Sequence, residues 1–208
     1  MQLSVYNYLM INQFESRLKD YSPWLLSASE KPVHEAGVIL LLTDQAEPSV
    51  ILTERAKKMS SHAGEVAFPG GKKDPEDQSL LHTALREAHE EIGVLPSDVR
   101  ILGVLSQVLS LHKLSVTPYV GVISNQIELR PNPGEIETVF KAPLSFLIDP
   151  KNLRMQEFHT GLGKTRYVPS WNFYGHEIWG LTAWVIAEFL NLALDAEIPT
   201  RPRPERNR

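Results

Sequence analysis

Apolar positions change their period several times along the chain, and each change marks an element. Over residues 7–21, Tyr8, Leu9, Ile11, Phe14 and Leu18 recur at near-helical spacing, which predicts an amphipathic helix ended by Ser22-Pro23. Residues 27–32 form a polar connector. The run 33–43 is apolar and β-branched and reads as a buried strand; 50–53 is a second, joined to it by the polar loop 44–48 as a hairpin. A short strand at 66–68 stops at Pro69-Gly70-Gly71. Leu81, Ala84, Leu85, Ala88 and Ile92 then share one helical stripe, with Asp74-Pro75 or Asp77 as candidate N-cap and Gly93 as C-cap. Strands are expected at 101–106 and 116–123, and a turn at Asn132-Pro133-Gly134. Residues 136–140 fit either a strand or the entry to a short helix, and 143–147 a turn of helix. Residues 155–158 and 166–168 flank a hairpin turn at 160–164, and 179–194 is a second long amphipathic helix.

Strands with irregular connections and few helices indicate a mixed α+β fold, not a regular βαβ array. There is no internal repeat. The expected organisation is an N-terminal helix and connector at 1–32 packing on a domain at 33–195. A tail at 196–208, rich in proline and arginine, is expected to be disordered.

Composition narrows the chemistry. The 208 residues include no cysteine, which excludes a disulfide scaffold, a thiolate metal site and a cysteine nucleophile. A net charge of −4 argues against a general nucleic-acid-binding surface. No apolar run near the front approaches the roughly 20 residues of a membrane helix, so no membrane association and a cytoplasmic location are the expectations.

The segment Arg86-Glu87-Ala88-His89-Glu90-Glu91-Ile92-Gly93-Val94 carries the chemistry. On a helix, Glu87, Glu90 and Glu91 fall within an arc of roughly 100°. Like charges so placed destabilise a helix by about 0.2–0.5 kcal/mol per pair, so folding alone gives no reason to gather them. Arg86 stands one turn before Glu90 and can hold that carboxylate. The preceding Phe68-Pro69-Gly70-Gly71-Lys72 permits a sharp turn and close backbone approach. A glycine loop beside a carboxylate-lined helix suits an oxygen-ligated cation, Mg²⁺ or Mn²⁺, and such cations share their remaining positions with water and phosphates. Metal-assisted hydrolysis or transfer at a phosphate is the chemistry this predicts.

These residues resemble the Nudix hydrolase signature, in which Gly, five residues, Glu and seven residues precede Arg-Glu-apolar-x-Glu-Glu-x-Gly-apolar. Residues 86–94 fit every fixed position of the second half. In the first half, Asp77 stands where Glu is expected, and eight residues separate it from Arg86. Leu52-Thr53-Glu54-Arg55, Ser60–Gly71, Val116-Thr117-Pro118 and Trp179-Gly180-Leu181-Thr182 are further similar to the coenzyme A pyrophosphatase branch. The resemblance implies the Nudix fold, a mixed β-sheet sandwiched between α-helices. It also implies metal-dependent cleavage of CoA or acyl-CoA to 3′,5′-ADP and (acyl-)4′-phosphopantetheine. Hydrolysis of ADP-ribose or a dinucleoside polyphosphate is the alternative, as is a non-catalytic nucleotide-binding regulator. Glu87, Glu90, Glu91 and Gly71 are the implied metal-binding residues, and Glu90, Glu91, Glu135 and Arg86 the catalytic ones. Glu135 is the candidate base, with Glu137 second. Arg55, His62, Gly70, Gly71 and Lys72 are the candidate substrate contacts. The expected partner is a small nucleotide, with a homodimer left open.

Overall fold

The computed structural model describes residues 2–27, 32–58, 63–110, 113–159 and 165–200. Helix α1 (Gln2–Asp20) precedes β1 (His34–Thr43), β2 (Ser49–Arg55), β3 (Val66–Ala67) and β4 (Gly70–Lys72). Helix α2 (Leu80–Ile92) follows, then β5 (Arg100–Val104), β6 (Val108–Leu109), β7 (Leu114–Ile123) and β8 (Ile136–Pro143). The chain closes with α3 (Leu144–Ile148), β9 (Arg154–His159), β10 (Thr165–Phe173), β11 (His176–Ile178) and α4 (Gly180–Leu194).

The alternation within β1 sets the layers. Ile39 and Leu41 pack with Ala84, Ala88 and Ile92 of α2 on one face. Leu40 and Leu42 point the other way, into a larger core with Phe14 of α1 and Phe189 of α4. Burial on both faces explains why β1 reads as one continuous apolar run. The main sheet is mixed: β1 pairs parallel with β7 and antiparallel with β2 and β4, and β8 pairs antiparallel with β2. Strands β9, β10 and β11 form a second, antiparallel sheet. The fold is therefore α+β, a mixed sheet between α2 on one side and α1 and α4 on the other. Among the described residues no helix is long and apolar enough to cross a membrane.

Several boundaries differ from those the sequence suggests. Ser79, not Asp74 or Asp77, caps α2; its hydroxyl accepts from the His82 amide at 3.1 Å. Gly70 and Gly71 do not merely end a strand. They form β4, registered on Val38 and Gly37 of β1; a Cβ at Gly70 would meet the β1 backbone, and one at Gly71 the Glu87 side chain. Residues 136–140 belong to a strand, β8, rather than a helix entry. Leu9 is 58% exposed and lies off the packed stripe of α1, which is carried by Ile11, Phe14 and Leu18.

The expected disorder of the tail does not begin at residue 196. Ile198 is buried and exchanges two hydrogen bonds with the Asn191 side chain, at 2.8 and 2.7 Å. An apolar anchor with its backbone satisfied by an amide outweighs the local polar composition. Residues 201–208 lie outside the described residues.

Candidate active site

Helix α2 lays Arg86, Glu87, Glu90 and Glu91 beside the glycine strand β4. Its register is set at both ends, by Ser79 and by Gly93, whose left-handed φ of 74° returns its amide to the His89 carbonyl. Gly70, at φ 148°, donates its amide to Glu91 Oε2 at 3.2 Å. At Gly71, an added Cβ would meet Glu87 Oε1 at 2.3 Å. The glycine pair thus makes a cradle into which two carboxylates of α2 press.

Glu91 is the most buried of these acids, with its side chain 3% exposed. Burial pushes its carboxyl up to about 7; the Gly70 amide and the Arg55 guanidinium pull the other way, and Glu87 and Glu135 add to the rise. Arg55, at the end of β2, is 3.3 Å from Glu91 Oε1. Glu87 is also raised, first by burial, with Arg86 opposing and Glu90 and Glu135 reinforcing.

Strand β8 brings in Glu135 from more than forty residues downstream. The Glu135 carbonyl accepts from the Ala56 amide at 2.8 Å, fixing it beside the end of β2. Its charge acts on both Glu87 and Glu91. Glu137 is exposed on β8 and is not among the charges that shift these two carboxyls.

Arg86 links the group. Its guanidinium contacts Glu90 Oε2 through Nη1 at 3.0 Å and Glu87 Oε1 through Nη2 at 3.0 Å. It also forks onto Asp77, with Nε at 3.1 Å from Oδ1 and Nη2 at 3.1 Å from Oδ2. Asp77 is buried, and the Arg86 guanidinium holds its carboxyl well below the usual carboxylate range against the opposing effect of burial. Asp77 is the site residue that sequence reasoning underrates. Its only signal is an acid placed nine residues before Arg86 in the wrong register for the signature.

The sequence-expected set is therefore largely brought together: Arg55, Gly70, Gly71, Arg86, Glu87, Glu91 and Glu135 converge. Glu90 is more exposed and is drawn toward Arg86. Lys72 ends β4 with its side chain exposed; its carbonyl lies 3.5 Å from the Arg86 guanidinium. His62 lies outside the described residues.

On the opposite face of β2, Glu54 bonds His176 Nδ1 at 2.6 Å, and that ring stacks on Phe140 at 4.3 Å. Trp171 is buried and donates to the Leu147 carbonyl, whereas Tyr174 is 89% exposed.

The donor chemistry fits a hard divalent cation. Carboxylates that repel one another, two of them raised by burial, border a cradle too tight for any side chain. Among the described residues no group of three or more His, Cys, Asp or Glu side chains stands as a finished metal cage. Arginines hold the three helix acids instead, Arg86 on Glu87 and Glu90 and Arg55 on Glu91.

Comparison with known proteins agrees with this arrangement. A NUDIX domain profile matches residues 33–160. Nudix hydrolase NudL of Yersinia enterocolitica is 38% identical over 178 residues, covering 85% of this chain and 89% of that protein. Its counterpart in Yersinia pestis (strain Pestoides F) is 40% identical over 151 residues, covering 73% and 75%. A solved MutT/nudix family protein from Enterococcus faecalis has a TM-score of 0.51 at 17% identity, covering 82% of this chain and 65% of that one; this likeness shows the fold.

Proposed function

The chain belongs to the NUDIX family, and from that membership we propose that it hydrolyses the diphosphate bond of a nucleoside diphosphate derivative with a divalent cation. The observation that carries the reading is the meeting of Glu87, Glu91 and Glu135 at the Gly70–Gly71 cradle.

Glu87, Glu90, Glu91 and the Gly71 backbone are the groups assigned to hold Mg²⁺ or Mn²⁺. Such a cation, when bound, neutralises phosphate oxygens and makes a coordinated water more acidic. The chain's own residues supply the rest. Arg86 fixes Glu87 and Glu90 by direct contact. Glu135 approaches from the turn before β8 and takes the proton of the attacking water as general base. Phosphorus then gains that oxygen, the bridging P–O bond breaks, and two phosphate products leave. Arg55 has a planar fork suited to a phosphate oxygen and can exchange its contact with Glu91 for one with substrate.

The substrate class divides into ADP-ribose or a dinucleoside polyphosphate on one side and CoA or acyl-CoA on the other. The CoA reading is supported by the sequence resemblance of Leu52-Thr53-Glu54-Arg55, in β2, and of the stretch that ends at Gly70-Gly71, in β4. A hydrolysis panel of CoA, ADP-ribose and diadenosine tetraphosphate with Mg²⁺ or Mn²⁺ tests both levels. Cleavage of CoA alone to 3′,5′-ADP and 4′-phosphopantetheine supports the finer reading. Cleavage of ADP-ribose or the tetraphosphate with CoA intact removes the CoA assignment and leaves the hydrolase. Metal-dependent binding without cleavage of any member points to a nucleotide-binding regulator.

A further inference from the structure

We propose that Asn132 is a positioning residue for Glu135, fixing where that carboxylate stands relative to α2. The inference rests on the hydrolase reading, in which Glu135 is the general base, and assigns a role to a residue outside the acids.

Helix α2 ends in carbonyls that no amide of its own can reach. The Asn132 amide donates to the Glu91 carbonyl at 2.8 Å, and the Arg130 amide to the Ile92 carbonyl at 2.9 Å. The chain ahead of β8 is therefore laid along the end of the helix that carries the acids. Gly93 permits this approach: its φ is 74°, and an added Cβ would meet Arg130 Cβ at 3.2 Å.

Asn132 then turns the chain toward Glu135. Its carbonyl accepts from the Glu135 amide at 3.0 Å and from the Ile136 amide at 2.8 Å. Its side-chain Oδ1 accepts from the Gly134 amide at 2.9 Å. A bond from an asparagine oxygen to the amide two residues on makes an Asx turn, and Pro133 presets a backbone angle within it. The point at which Glu135 leaves the turn is thereby set.

Beyond the turn, the Glu135 carbonyl accepts from the Ala56 amide at 2.8 Å. Ala56 follows Arg55, whose guanidinium lies 3.3 Å from Glu91 Oε1. The contacts close a ring that runs from the Glu91 backbone through Asn132, Glu135, Ala56 and Arg55 to the Glu91 carboxylate. Glu135 cannot leave α2 unless a link of this ring opens, and across the ring its charge acts on Glu87 and Glu91.

The other bonds of the turn join backbone groups that almost any residue supplies; the Oδ1 bond depends on the side chain at 132. Alanine there keeps the amide and carbonyl but leaves the Gly134 amide without its acceptor. Aspartate keeps an oxygen at the same reach.

The test compares Asn132→Ala, Asn132→Asp, Arg130→Ala, Glu135→Gln and the double variant Asn132→Ala with Glu135→Gln, all in the full chain. Arg130→Ala removes an exposed side chain paired with Glu128 and keeps the backbone bond to Ile92. Readouts are kcat and KM on the panel substrate that wild type cleaves, Mn²⁺ affinity from the free-ion EPR signal of manganese chloride, and hydrogen exchange of the Gly134, Glu135 and Ile136 amides by NMR. In Asn132→Ala, kcat should fall roughly tenfold, with KM and Mn²⁺ affinity within about threefold of wild type. The three amides should exchange about tenfold faster. Asn132→Asp should return kcat and exchange to within about threefold, and Arg130→Ala should leave every readout within about twofold. Added to Glu135→Gln, Asn132→Ala should change kcat by less than about twofold, because the group it positions is gone.

Wild-type kcat in Asn132→Ala overturns the proposal. So does a tenfold loss that persists in the Glu135→Gln background, which would make Asn132 merely structural. Should wild type cleave no panel member, the hydrolase reading fails and hydrogen exchange alone decides whether Asn132 sets the place of Glu135. Exchange unchanged by Asn132→Ala, or wild-type amides exchanging as fast as in an unfolded chain, then overturns the proposal.

Discussion

Glu91 shows how a single residue trades stability for chemistry. Its carboxyl stands at about 7 in the folded chain against an ordinary value of 4.5. A folded value above the unfolded one means the native state binds the extra proton between these two values. Stability is therefore full below about pH 4.5 and declines as pH rises toward 7. In metal-free buffer, Glu91→Gln should flatten that decline and raise stability at pH 8 by on the order of 2 kcal/mol, measured by urea unfolding across pH. The same variant should lose turnover by orders of magnitude. Greater loss of stability at pH 8 than at pH 4 would contradict the assignment. Gly71→Ala acts in the opposite place: its methyl would occupy the position 2.3 Å from Glu87 Oε1. Turnover and Mn²⁺ affinity should both fall while the circular dichroism spectrum is kept.

At the scale of elements, local period was enough to place α2, its stripe and its C-terminal glycine, because these depend on neighbours three and four residues away. It was not enough for β4. Gly70 and Gly71 carry no strand propensity, and their pairing with Val38 and Gly37 is a contact across more than thirty residues. The cap differs for a related reason: the Asp77 carboxylate is taken up by Arg86 and Thr83, and Ser79, next to the first turn, accepts from the His82 amide. Glu135 was legible as an acid in a turn, but its convergence on the helix depends on the register of β8 with β2. The packing of α1 gives a prediction at this scale. Phe14 is fully buried and meets Phe189 of α4 edge-on at 5.5 Å. Phe14→Ala should destabilise the fold by about 3–5 kcal/mol in chemical denaturation, with turnover per folded molecule unchanged. Loss of activity without loss of stability would place α1 in the site.

Over the whole molecule, 25 acidic against 21 basic side chains suggested a weak aversion to anionic ligands. The fold changes what that balance means. Acids from α2 and from the turn before β8 come together, and on the proposed function a bound divalent cation would turn their repulsion into attraction for a diphosphate. Within the C-terminal segment, Ile198 is held as an apolar anchor that composition does not register. Ile198→Ala should lower stability by about 2 kcal/mol without altering turnover. The central claim is hydrolysis at a diphosphate bond by this carboxylate cluster. It is tested most directly by incubating the chain with Mg²⁺ and the CoA, ADP-ribose and diadenosine tetraphosphate panel in ¹⁸O-labelled water, with product masses read by mass spectrometry. The account predicts one labelled oxygen in one of the two phosphate products of at least one substrate, with Glu91→Gln giving almost none. Intact substrates throughout, or equal product from Glu91→Gln, would contradict it.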